Sequence, residues 1–355
     1  MSRVLYGERS WNPLARTVEL TEDRLRRGVS VTPLTELNLG AMAEAHLRGQ
    51  WLGGGGAERP LDRLPQGPGI VPVTRVTGTA VPVKARQAAE LARVLGELAV
   101  ERCGGPERVA GLAARAGAEG VPLWIARRYA QGPAGPIAVA VDRRLVRVDV
   151  WGPQAPVVRI RAPHGFRGGA VGPAQGLLLT VGEVTAELRL SRKLRKSKSS
   201  VEVRGSGAHW QLKREDAAGS WLLRDGQRVA LLGRPPRRAV HAPDTVLLPL
   251  SPVRYESHDP TDAVMAHVFS VAFGLGDTTG TARFRARPVR REGPEPLASD
   301  GDWGLSWFSN LGTGGEDNQP GGGDGWGSDG GDGGDGGGGG DGGDSGGGDG
   351  GGGGD

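Results

Sequence analysis

Cysteine is nearly absent: Cys103 is the only one in 355 residues. That excludes an internal disulfide and any zinc site built from several thiolates. Aromatic residues make up only 5% of the chain, and no apolar run approaches the roughly 18–20 residues that a membrane-crossing helix needs. The opening stretch MSRVLYGERSWNPLARTVEL holds no apolar core of the kind an export signal carries. A cytoplasmic protein without a transmembrane segment is the expectation. Lysine is scarce as well, at five of the 44 basic residues, while Gly, Ala, Arg and Pro abound. This is the coding bias of a GC-rich bacterium, so abundant arginine does not by itself indicate a nucleic-acid partner.

Charge is divided along the chain. The formal net charge is +4, yet all 44 Lys and Arg precede Asp300, and the segment 300–355 holds 12 acids and no base. Of its 56 residues 29 are Gly, too little apolar surface to offset the cost of ordering the chain. A disordered, acidic, Gly-rich tail is expected over 300–355. Gly330–Asp335 and Gly339–Asp344 repeat the GGxGxD pattern of calcium-binding β-rolls. The positions that should pack such a roll are Gly336 and Ser345, so the repeat has nothing to build a core from.

Ahead of the tail, the pattern points to an α+β protein. Thr32-Pro33 reads as a helix start followed by Leu34, Leu37, Met42, Ala45 and Leu47, making 1–60 a loosely helical segment. Residues 70–83 read as extended chain, with Pro72 and Pro82 restricting it to edge or non-strand positions. Leu91, Leu95 and Leu98 recur at helical spacing, a Gly-Gly turn follows, and Pro106 opens a second helix, so an αα-hairpin is expected within 70–135. From Ile137 the period becomes two, and Asp225-Gly226 is a type I′ hairpin signal. A mostly antiparallel sheet or barrel is expected over 136–290. Its last element, TDAVMAHVFSVAFGL from Thr261, is apolar on nearly every face and belongs inside the fold.

The densest charge feature is SRKLRKSKSS, Ser191 to Ser200. Arg192, Lys193, Arg195, Lys196 and Lys198 have no acid between Glu187 and Glu202, and they include three of the five lysines. Between two strands this run becomes a projecting loop able to neutralise phosphates or carboxylates. Its serines, Ser197, Ser199 and Ser200, are candidate sites for charge-changing modification. Trp210 and Trp221 suit either core packing or a stacking platform. Near the tail, Trp303, Trp307 and Phe308 interrupt the Gly-rich composition and form a candidate interaction segment.

Signals for catalysis are sparse. The six histidines form no HxH or HExxH pattern, and GGGG at 53–56 lacks the following GK[ST] of a phosphate loop. His258, Asp259, Asp262 and His267 are the only local cluster of acid–base groups, with helix capping as the simpler role for Asp262. No cofactor and no metal site is expected. The function expected is noncatalytic: a binding or adaptor protein whose basic β-domain contacts an anionic surface or a protein, moderated by its acidic tail. Two alternatives stand beside it, an enzyme with a dispersed active site and an interaction protein that uses the Trp303 segment. Nucleic acid is a less favoured partner, and oligomeric state is not legible.

Overall fold

The computed structural model describes residues 3–8, 17–143, 145–162, 176–234, 247 and 249–284. Alternation governs the first of these. Val18 and Leu20 face inward with Leu25, while Arg24 and Arg26 point to solvent. The result is an antiparallel four-stranded sheet of β1 (Val4–Gly7), β2 (Val18–Thr21), β3 (Arg24–Arg27) and β4 (Ser30–Pro33). This corrects the expectation of a loosely helical 1–60. Pro33 ends a strand instead of opening a helix, and α1 (Leu39–Leu47) starts later, capped by the Asn38 side chain on the Ala41 amide. Strand pairing satisfies backbone groups over Arg-rich segments whose apolar residues are too sparse to make a helical stripe.

Two short hairpins follow. The strands β5 (Gln50–Leu52) and β6 (Glu58–Pro60) form one, and β7 (Gly69–Thr74) and β8 (Ala80–Ala85) the other. Pro72 faces Pro82 in the second, which is tolerated because both strands are edges. The expected αα-hairpin is present as α2 (Ala88–Arg102) and α3 (Pro106–Glu119), turned by Gly104 and Gly105 at φ 87° and 96°. Leu91, Leu95 and Leu98 pack into a core with Met42, Trp51 and Val71.

Gly96 lets α1 and α2 approach closely. A Cβ placed there falls inside the contact radius of the His46 ring. Gly96→Ala is therefore expected to destabilise the fold by about 1–3 kcal/mol although alanine is the better helix former. Equal or higher stability in a denaturant titration would contradict the close approach.

The described strands after α3 form one antiparallel sheet of eleven in sequence order. They are β9 (Arg127–Gly132), β10 (Gly135–Asp142), β11 (Arg147–Trp151), β12 (Val158–Arg161), β13 (Leu178–Val181), β14 (Val184–Ser191), β15 (Ser200–Gly205), β16 (Ala208–Arg214), β17 (Gly219–Arg224), β18 (Gln227–Gly233) and β19 (Val253–Tyr255). Asp225 and Gly226 turn β17 into β18 at φ 50° and 87°, as the Asp-Gly pair requires. Alternate residues such as Val139, Val148, Ile160, Val203 and Leu212 form a second core with α4 (Pro260–Ala272). Asp259 caps α4 through the Thr261 amide, and Pro260 takes the first helical position.

Every residue of α4 from Asp262 to Ala272 is buried, and the helix contacts β9 to β12 at one end of the sheet and β18 and β19 at the other. The helix thus packs on strands from both ends of the sheet order. The α+β class with an antiparallel sheet thus stands. Among the described residues no helix is long and apolar enough to cross a membrane.

The two cores meet at a charged junction. Asp149 on β11 points away from the sheet's inner face, yet has no exposed surface, being surrounded by three arginines of which two reach on to the end of α3. It accepts from Arg147 at 3.0 Å and Arg159 at 2.8 Å, and from Arg161. Arg147 and Arg159 also donate to the carbonyls of Gly120 and Glu119. Arg127, on β9, collects the carbonyls of Val121 and Pro122. Three arginines, Arg127, Arg147 and Arg159, thus tie the end of the helical unit to the sheet.

Candidate functional site

The loop between β14 and β15 begins and ends on the paired residues Ser191 and Ser200. One serine organises it. The Ser199 hydroxyl accepts the Lys193 amide at 3.0 Å and donates to the Lys193 carbonyl at 3.4 Å. The Lys198 and Ser199 amides donate to the carbonyls of Arg195 and Lys196, making a single 3-10 turn. Ser199 and Ser200 are buried and Ser197 is exposed, so of the three candidate hydroxyls only Ser197 faces solvent.

A later stretch of chain props the loop from one side. Gly280 sits so close to the Ser191 carbonyl that a Cβ there would lie 2.5 Å away. Asp277 receives Lys196 Nζ at 3.1 Å and Arg214 Nε at 2.8 Å. The hydrogen bonds from Arg214 and Lys196 hold the Asp277 carboxyl below the usual carboxylate range. Lys196 is therefore neutralised by a folded-domain acid.

The other four cations are not. Arg192, Lys193, Arg195 and Lys198 are exposed, and none has a carboxylate within ion-pairing distance among the described residues. Lys213, opposite Ser200 in the β15–β16 ladder, adds another exposed cation beside the loop. Within this charge, the Leu194 side chain is fully exposed, at 107% relative accessibility. The sequence pattern picked out the cations but not Leu194, because a lone leucine in a basic run carries no periodic signal.

Neither tryptophan offers an open face. Trp210 is in the sheet's core and donates from Nε1 to Asp262 at 2.9 Å. Trp221 lies on the outer face, covered by the Arg228 guanidinium 4.5 Å from its ring centroid and approached by Arg254 at 5.6 Å.

The cluster near α4 separates into parts with structural duties. His258 is exposed. Asp259 caps the helix and pairs with Arg224 at 2.6 Å. Burial opposes its charge, but the bonds from Arg224 and Thr261 hold it below the usual carboxylate range. Asp262 is buried and accepts from Trp210, Ser257 and Arg224, so it does more than sit in the first turn as a cap.

His267 is sealed inside the sheet. Its Nε2 lies 2.7 Å from the Tyr255 hydroxyl, which donates to the Gln131 carbonyl at 3.1 Å. The hydroxyl has one proton, so His267 Nε2 donates and Nδ1 is left a buried acceptor without a partner. Burial pushes His267 down to about 4 and Tyr255 up to about 12. A histidine without solvent access, some distance inward from an exposed His258, does not form an acid–base pair with it.

Burial also raises the Cys103 thiol, which suits an inert residue. Among the described residues no group of three or more His, Cys, Asp or Glu could hold a metal ion. A groove of about 590 Å³ lies beside Trp124 between α1, α3 and β11. Its charged groups are already engaged, Arg48 with Glu44 and Glu58, and Arg147 with the buried Asp149 behind it. Trp303, Trp307, Phe308, both GGxGxD repeats and the whole of 300–355 lie outside the described residues. No family model, curated protein or solved structure matches the chain.

Proposed function

We propose that this is a noncatalytic binding or adaptor protein whose basic β-unit contacts an anionic surface or protein through the 192–198 loop, moderated by the acidic tail. The observation that carries the reading is the four exposed cations, Arg192, Lys193, Arg195 and Lys198, with no carboxylate partner among the described residues. In this reading the eleven-stranded sheet acts as a barrel-like scaffold around α4. The Tyr255 contact to Gln131, between its last and first strands, supports that arrangement. The loop's internal bonds through Ser199 hold its backbone in place before any partner arrives, which lowers the ordering cost of binding.

Moderation by the tail is supported by connectivity. Residues Asp277 to Gly280 lie against the loop, and the described chain ends soon after at Phe284. The stretch from Phe284 to Asp300 can span up to about 50 Å when extended, so the acids that follow can reach the loop. Asp277 on Lys196 is a local precedent for a carboxylate seated there.

The test is binding to dextran sulfate across a salt series by three proteins: the full chain, a chain ending at Ser299, and full-length Arg192→Gln/Lys193→Gln/Arg195→Gln/Lys198→Gln. The quadruple variant is expected to bind at least about tenfold more weakly at low ionic strength. The shortened chain is expected to bind more tightly at low salt and to converge with the full chain as salt screens the tail. Unchanged affinity in the quadruple variant would remove the site, and equal affinity of long and short chains at every salt would remove the tail's role.

A further inference from the structure

Resting on that reading of the loop, we infer that its partner is an anionic lipid bilayer, and that Leu194 is an apolar wedge entering the interface while the flanking cations hold the headgroup phosphates. Leu194 has no packing role to explain it, since it is fully exposed at a loop tip closed behind it by Ser199. Lys193 and Arg195 are its immediate neighbours in sequence, and Arg192 and Lys198 add two more exposed charges in the same loop without a carboxylate partner among the described residues.

The chemistry of a bilayer surface matches this layout. Its anionic headgroups lie above an acyl boundary, so a protruding aliphatic side chain gains burial where long cationic side chains bend back to phosphate. A polynucleotide fits less well. Its phosphates satisfy the cations but leave a lone leucine in water, and single-strand binding relies on open aromatic faces. Trp210 is buried and Trp221 is covered by Arg228, so neither serves.

The experiment compares the full-length protein, Leu194→Ser, Leu194→Phe and the quadruple cation variant. Each is titrated against phosphatidylcholine vesicles, equimolar phosphatidylcholine–phosphatidylserine vesicles, and polyuridylate. Because Leu194 is fully exposed, both single variants should melt at the wild-type temperature. Leu194→Ser is expected to lose about tenfold in affinity for phosphatidylserine vesicles, and Leu194→Phe to gain, with polyuridylate binding unchanged in both. Vesicle affinity insensitive to residue 194 while the quadruple variant loses binding would overturn the wedge and leave the anionic site. Tighter binding to polyuridylate than to the anionic vesicles would overturn the choice of a bilayer. No loss in the quadruple variant on any probe would remove the underlying site.

Discussion

Asp149→Ala is expected to destabilise the protein by about 3–5 kcal/mol, the cost typical of removing one partner from a buried ion pair. The carboxylate has no exposed surface and is shared by Arg147, Arg159 and Arg161. Without it, three guanidiniums on two neighbouring strands face one another with only carbonyls left as partners, those of Gly120 and Glu119 for Arg147 and Arg159 and those of Val148 and Ile160 for Arg161. Burial already disfavours the charge on Arg161, with the bond to Asp149 acting against that loss. The damage should fall on the attachment of α3 as well as on β11 and β12, because the same arginines bond to Glu119 and Gly120. Denaturant unfolding of the two proteins measures the difference. A loss under about 1 kcal/mol would mean that water solvates the cluster and that the junction is not buried.

Acid is expected to weaken the fold through His267. Its folded-state value near 4 lies below the 6.5 of an unfolded histidine. The unfolded chain therefore binds the proton more readily, and stability falls as pH drops below about 6.5 and continues to fall until about 4. The shift corresponds to about 3 kcal/mol over that window. Burial is the cause, and the Tyr255 hydroxyl is the one titratable group in hydrogen-bond contact with the ring among the described residues. His46, also lowered by burial, contributes in the same direction, so the difference between wild type and His267→Gln isolates this position. The variant keeps a donor toward Tyr255 and should show a flatter stability profile between pH 4 and 6.5. Parallel profiles would show that His267 is open to water.

Local physics was legible where one residue type repeats at one spacing. The helical stripe of Leu91, Leu95 and Leu98 and the Asp225-Gly226 turn each follow from neighbours a few positions apart. The same reasoning failed over the first sixty residues. There, Arg24 to Arg27 form a strand whose inward residue is a single leucine, and only pairing with β2 and β4 reveals it. His267 and Asp262 looked like members of one acid–base cluster because they are close in sequence. The helix instead carries His267 to Tyr255 and Asp262 to Trp210, which lies 52 positions away.

From sequence alone come the concentration of cations between Ser191 and Ser200, the burial of the helix after Pro260, and the opposed charges of body and tail, since composition and short-range periodicity suffice for each. Tertiary structure decided which of those cations lack a carboxylate partner among the described residues and that Leu194 stands fully in solvent. Ion pairing depends on groups brought together across long separations, as Asp277 is with Arg214 over 63 positions, and exposure depends on what the rest of the fold leaves uncovered.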